Sequence, residues 1–441
     1  MNALFEEFSA SSAADWKDRL SKDLKGITFE DLCLIDRNDI TIHPFYTDEG
    51  EHKESIFIHK DWSICASIKD IDPKKANKKA LNELQNGASG LCFEISETLD
   101  LTVLLNEIQL PYIYTQFKIT SDIKTFVGQF KQYLAAQNRS IADLDCCVVF
   151  DPIAKYINGN EWEKDQSKID FLEIFLQTKC ISIDASSYQN AGANSSYQLA
   201  CTTAQLNEYL HWLDLSGNIA SLQKVNISLV TGTDFFEEIA KLRALKILTA
   251  NLLTQYNISP TIQLHIETSD TYRSAFDSYS NLLRDSIAGM AAVLGGCNSL
   301  LIHAFDQSLN DANEFSSRMS RNQQLIFKEE SYLSQIADAS AGSFYIEKLT
   351  EQITDKAWTS FQQIEKEGGL IASFEKGIIK KTVEIQAAQW IQEYKDGKRV
   401  LIGVNKYVNA KDEPKASSKK IEAGKGLKLI SLTEELIDTN E

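Results

Sequence analysis

Two carboxylates, a histidine and a pair of serines stand where this sequence could do chemistry. Asp151 follows the apolar run CCVVF, and Asp270 follows TIQLHIETS (261–269). His303 lies inside SLLIHAF (299–305), and Ser186, Ser187 and Gln189 follow CISIDA (180–185). Each sits at or near the C-terminal end of a short, β-branched run of strand length. Asp151 and Asp270 could work as an acid/base pair, and His303 as a general acid. A plainer role competes in each case. Aspartate commonly caps a following helix, and a histidine within an apolar strand is more often a satisfied core or pocket residue. Ser187 has no G-x-S-x-G setting and no base candidate beside it, so nucleophilic catalysis is not expected of it. Gly295-Gly296 follows a helical pattern, whereas a dinucleotide-binding glycine loop follows a strand.

Metal chemistry finds no support in local spacing. The six histidines (43, 52, 59, 211, 265 and 303) show neither H-x-x-x-H nor H-x-H, and the eight cysteines form no C-x-x-C. No protein-bound zinc is expected, and the thiols are read as reduced and packed like small apolar residues.

The elements that must position these residues repeat along the chain. Candidate strands are 90–95, 112–119, 146–152, 180–185, 225–233, 261–269, 299–305 and 400–405. Helical patterns separate them. In one, Phe276, Tyr279, Leu283, Ile287, Met290 and Leu294 recur every three or four residues before Gly295-Gly296. Strand, helix and strand in series make parallel βαβ units. Eight such strands are the count that closes a (β/α)8 TIM barrel, the expected α/β fold; an open doubly wound sheet more often has five or six. The span 306–399 exceeds a standard unit and carries Leu349, Ile353, Ala357, Phe361 and Ile364 on one helical face.

Residues 1–60 form an N-terminal arm too small for a core of its own, 61–407 the barrel, and 408–441 a polar, lysine-rich stretch that reads as a flexible tail. The net charge of −17 argues against nucleic acid or an anionic membrane as partner. The acidic N-terminus lacks a signal-peptide pattern, and no apolar run approaches the ~20 residues of a membrane helix. A cytoplasmic protein is expected.

A family resemblance rests on an ordered set of residues. Asn281 and Arg284, AAVLGG (291–296), Ser299, Phe305-Asp306, RMSRNQ (318–323) and EES (329–331) resemble the barrel of methylmalonyl-CoA mutase. AGSFY (341–345), Trp358, EGG (367–369) and GVNKY (403–407) continue the match in order, and residues 23–47 resemble the N-terminal arm of the family's small subunits. The resemblance implies a role in interconverting (R)-methylmalonyl-CoA and succinyl-CoA by an adenosylcobalamin-dependent radical rearrangement. It also implies an arm that wraps the other subunit.

The departures select the subunit. Catalytic chains of the family carry Gly-Tyr-His-Met where this one has Ala185-Ser186-Ser187-Tyr188, and their tyrosine and histidine contact the substrate. They have a longer loop where SETLDL (96–101) runs straight into a helix, and a histidine where this chain has Leu301. The family's cobalamin motif, Asp-x-His-x-x-Gly, is absent: Thr41, Gly50, Phe57, Tyr209, Gln263 and Leu301 stand two positions before the six histidines. No domain fits in the 34 residues after Tyr407. The resemblance therefore implies a non-catalytic small (β) subunit that forms a heterodimer with a catalytic large subunit, which binds the cofactor. No catalytic, cofactor-binding or metal residue is expected here, and Ser186, Ser187, Gln189 and His303 are read as a degenerate substrate pocket. Two alternatives stay open: the barrel of a split acyl-CoA mutase, and a non-enzymatic acyl-CoA-binding or regulatory barrel.

Overall fold

The computed structural model describes residues 12–47, 61–307, 313–409 and 425–437. Two short strands in the arm, β1 (Leu34–Ile35) and β2 (Thr41–Ile42), pair antiparallel. The barrel strands are β3 (Ser63–Ile68), β4 (Gly90–Ile95), β5 (Tyr114–Ile119), β6 (Cys146–Val149), β7 (Cys180–Asp184), β8 (Lys224–Thr231), β9 (Thr261–Thr268) and β10 (Ser299–Leu301). They form one parallel sheet in the order β6-β5-β4-β3-β10-β9-β8-β7.

The sheet curls until opposite strands touch. Lys118 on β5 reaches Glu267 on β9 at 2.6 Å, and Gln116 on β5 donates to Ser228 on β8 at 3.3 Å. Between the end strands β6 and β7 a side chain does the joining. The Ser182 hydroxyl accepts from the Phe150 amide at 2.8 Å and donates to the Phe150 carbonyl at 3.2 Å. The expected (β/α)8 architecture is therefore present, with a seam between β6 and β7.

Eight strands were expected, and one of them is a different segment. Residues 400–405 form no strand. Gly403 turns there with φ +78°, and the Asn405 side chain accepts from the Leu401 amide while donating to the Tyr394 and Arg399 carbonyls. A side chain that occupies three backbone groups of a turn leaves no ladder to join. The eighth barrel strand is instead β3, whose Ile64, Ala66 and Ile68 are buried among the surrounding helices in strict alternation with Ser63, Cys65 and Ser67. β10 also ends at Leu301, so His303 lies just beyond the strand rather than within it.

The helices follow from caps and apolar stripes. Asp72, Asp122 and Asp151 each accept from a backbone amide in the first turn of the helix that follows, and Asn194 does so for the long helix Ser195–Leu215. Phe126 and Phe130, one turn apart on helix Ile123–Ala135, pack on Phe117 of β5 at 5.3 and 5.0 Å between ring centroids. The helix Phe344–Lys366 buries the expected Leu349, Ile353, Ala357, Phe361 and Ile364. It forms an outer layer on helices Ser195–Leu215 and Phe235–Gln255.

Part of the presumed tail is docked. Residues 425–437 run along the rim formed by the loops after β6, β7 and β9, through bonds from Leu427 N to Ile157 O, Ile430 N to Asn190 O and Leu432 N to Thr271 O. Leu427, Ile430, Leu432 and Leu436 are buried there, so flexibility is not the state of this segment. Lysine richness upstream hid four aliphatic anchors downstream. In the arm, helix Ala13–Asp23 buries nothing, while the turn at 36–40 seats on the barrel. Ile40 is buried, Arg37 stacks on Trp390 at 4.2 Å, and Asn38 accepts from the Ser196 amide at 2.9 Å.

Candidate functional site

The C-terminal ends of the barrel strands carry the residues singled out in sequence, but separate networks hold them. Ser186 opens the short helix Ser186–Asn190 after β7, and its hydroxyl donates to Asp184 at 2.5 Å. Ser187 is buried in the same turn. Gln189 points sideways to the end of β8. It accepts from Lys241 at 2.6 Å and donates to Glu238 at 2.8 Å, while Glu238 accepts from the Gly232 amide at 2.7 Å. His303 alone joins the barrel interior, through Nε2 and a Glu267 oxygen 2.9 Å apart.

The two aspartates do not form an acid/base pair. Asp151 is filled by four donors: the Ala154 and Asp184 amides, Gln205 Nε2 and the Tyr209 hydroxyl. Burial pushes its carboxyl up to about 6 although these donors pull the other way. Asp270 is half exposed and paired with Arg273 at 3.1 Å.

Apart from His303, the polar heart of the barrel lies outside the candidate site residues of the sequence. Lys118, His265 and His303 surround Glu267, with His265 Nε2 at 3.4 Å from one carboxylate oxygen. Burial alone would raise the Glu267 carboxyl. Lys118 and the two imidazoles outweigh it and hold the group well below the carboxylate range. Burial likewise works against charge on Lys118, but Glu267 and Asp184 hold its pKa above the usual lysine value. A period-two signal was available: Gln263, His265 and Glu267 alternate with Leu264 and Ile266 on β9, and Gln116 and Lys118 alternate with Phe117 and Ile119 on β5. TIM-barrel interiors are usually filled by layers of branched aliphatics. This one is lined with polar groups, and Gln116 Oε1 and both amide atoms of Asn226 are buried without a partner. Such orphans are costly unless a guest or water satisfies them.

His265 and His303 face into the barrel, and residues 425–437 cover part of its rim. Among the described residues no helix is long and apolar enough to cross a membrane.

Comparison with known proteins gives the relationship. A sequence profile of the methylmalonyl-CoA mutase family matches residues 87–429. A methylmalonyl-CoA mutase small subunit from Porphyromonas gingivalis is 30% identical over 443 aligned positions, covering 92% of this chain and 71% of that protein. A methylmalonyl-CoA mutase from Cereibacter sphaeroides is 34% identical over 343 positions, 74% of this chain and 48% of its own. A large subunit from Propionibacterium freudenreichii subsp. shermanii is 34% identical over 280 positions, 60% of this chain and 38% of its own. The chain thus spans less than half the length of these last two relatives. With an eight-stranded barrel and a match over most of its length, this chain belongs to the methylmalonyl-CoA mutase family, as a homologue of its small subunits.

Proposed function

We propose that this chain is a non-catalytic small subunit, paired with a large subunit that binds adenosylcobalamin and interconverts (R)-methylmalonyl-CoA and succinyl-CoA. The observation that carries the reading is the rim after β7. Where catalytic chains of the family place tyrosine and histidine, this chain has Ser186 and Ser187, and the Ser186 hydroxyl is spent on Asp184. A radical rearrangement needs a cofactor to generate the radical, since side chains cannot. The family's cobalamin motif, Asp-x-His-x-x-Gly, has no counterpart around the six histidines, so this reading assigns no catalytic step to the chain. The role that remains is structural, a second barrel that covers and steadies the partner. Co-expression with the large subunit followed by affinity capture and size determination tests it. A one-to-one complex is expected; a chain that stays alone with its partner present at micromolar concentration contradicts it.

A second reading is favoured by one observation. The unpartnered Gln116 and Asn226 groups of the interior suit a barrel that holds an acyl-CoA without converting it. Isothermal titration of the isolated chain with methylmalonyl-CoA separates the two: measurable heat of binding supports retention, and its absence leaves the structural role.

A further inference from the structure

Two neighbouring strands and a third that is distant in sequence bring two thiols and an imidazole to one point inside the barrel. Cys65 lies on β3, Cys92 on β4 and His265 on β9, all fully buried, and their donor atoms lie within 4.8 Å of one another. Cys92 Sγ is 3.9 Å from His265 Nε2. We propose that Cys65, Cys92 and His265 form a binding site for zinc, a borderline-soft divalent cation, in the barrel interior.

The surroundings favour this set as ligands. His265 Nδ1 lies 2.8 Å from the Ser299 hydroxyl, which orients the ring and turns Nε2 toward the thiols, the arrangement expected of a metal-binding histidine. A β-carbon at residue 90 would fall 2.7 Å from Cys65 Sγ, so Gly90 is what leaves that thiol its place. The Tyr114 ring stacks on His265 with centroids 5.9 Å apart, and its buried hydroxyl has no partner. Zinc–sulfur and zinc–nitrogen bonds of about 2.3 and 2.0 Å set tetrahedral donors roughly 3.5–4 Å apart, so the trio has to close by only about an ångström. Two sulfurs and an imidazole select zinc over magnesium or calcium.

Charge also balances. Binding leaves Cys65 and Cys92 as thiolates and His265 as a neutral imidazole, the displaced protons going to solvent, and two thiolates neutralise one Zn²⁺. Glu267, 3.4 Å from His265 Nε2, is already matched by Lys118. A neutral site avoids the cost of an uncompensated buried charge. The fourth position falls to Glu267 or to a water. Local spacing gave no hint of this, because Cys65 and Cys92 lie on neighbouring strands 27 residues apart and His265 comes from β9, two strands away from β3 around the barrel.

The test uses the full chain, reduced, stripped with a chelator and dialysed against zinc. About one zinc per chain is expected, with protons released to solvent on binding. Cobalt in place of zinc is expected to give a near-ultraviolet thiolate-to-metal band. The Cys65→Ser and Cys92→Ser variants should weaken binding at least about 100-fold. Cys180→Ser, which removes a thiol from the other adjacent pair, Cys147 and Cys180, should leave it unchanged. Retention of less than about a tenth of an equivalent by folded wild-type chain overturns the proposal, as does unchanged binding in the Cys65→Ser/Cys92→Ser double variant. Where those variants fail to fold, the cobalt band of the wild-type and Cys180→Ser chains decides. Its presence in both supports the site, and its absence from either overturns it.

Discussion

At Asp151 four donors converge on one buried carboxylate, from two backbone amides, Gln205 and Tyr209. It joins the seam at β7 to helix Ser195–Leu215 as well as capping its own helix. Asp151→Ala removes the cap and strands several buried donors, so it should cost about 3 kcal/mol, read as a lower denaturant midpoint at unchanged slope. Capping was legible from Asp151-Pro152, since aspartate followed by proline is a helix start. The other three partners were not, because they lie 33 to 58 residues away in sequence. Ser187 makes the complementary case. If the proposed role holds, Ser187→Ala in the assembled enzyme should change turnover by no more than a few fold. A hundredfold loss, about 2.7 kcal/mol of barrier, would show that this rim works on substrate.

Among the elements, the arm divides into a docked turn and an exposed face. Glu237 anchors the turn, accepting from Asn38 Nδ2 at 2.9 Å and from Ser195 at 2.5 Å. Burial, with repulsion from Asp234, pushes its carboxyl up to about 7. An acid whose folded pKa is raised binds more protons folded than unfolded between about 4.5 and 7, so stability falls as pH rises through that window and levels off above it. Proteolysis of the arm should therefore be slower near pH 5.5 than near pH 8, and Glu237→Gln should flatten the difference. Equal rates in wild type at both pH values would contradict the assignment. Trp16, Ile27, Leu34, Ile35 and Phe45 remain exposed on the same arm, an apolar surface of the kind that marks an interface. A chain starting at residue 61 should keep a cooperative melt, because all eight barrel strands lie beyond it, and should lose most of its affinity for the large subunit. Circular dichroism and co-elution check the two halves separately. Strand assignment in the sequence failed at residues 400–405 for a definable reason. The Gly403 turn interrupts an apolar run of strand length, while Ser63 to Ile68 alternates small side chains with Ile64, Ala66 and Ile68. Likewise the lysines and Pro414 upstream drew attention from Leu427 to Leu436.

Across the whole molecule, the outer faces of the strands obeyed the expected apolar pattern, and this made the barrel legible from strand count. The interior was not legible in the same way. Its residues are polar and become neighbours only on closure, as Lys118 and Glu267, or Cys92 and His265, do from opposite walls. The proposed supporting role rests on a barrel that keeps the family's frame, holds ion pairs such as Lys118–Glu267 at its centre, and has Ser186 and Ser187 at the rim after β7. The most direct test measures turnover of methylmalonyl-CoA to succinyl-CoA, with adenosylcobalamin present, for this chain alone, the large subunit alone and the two together. The account predicts no turnover by this chain alone and full turnover by the complex. Turnover by the isolated chain above the uncatalysed background would contradict it.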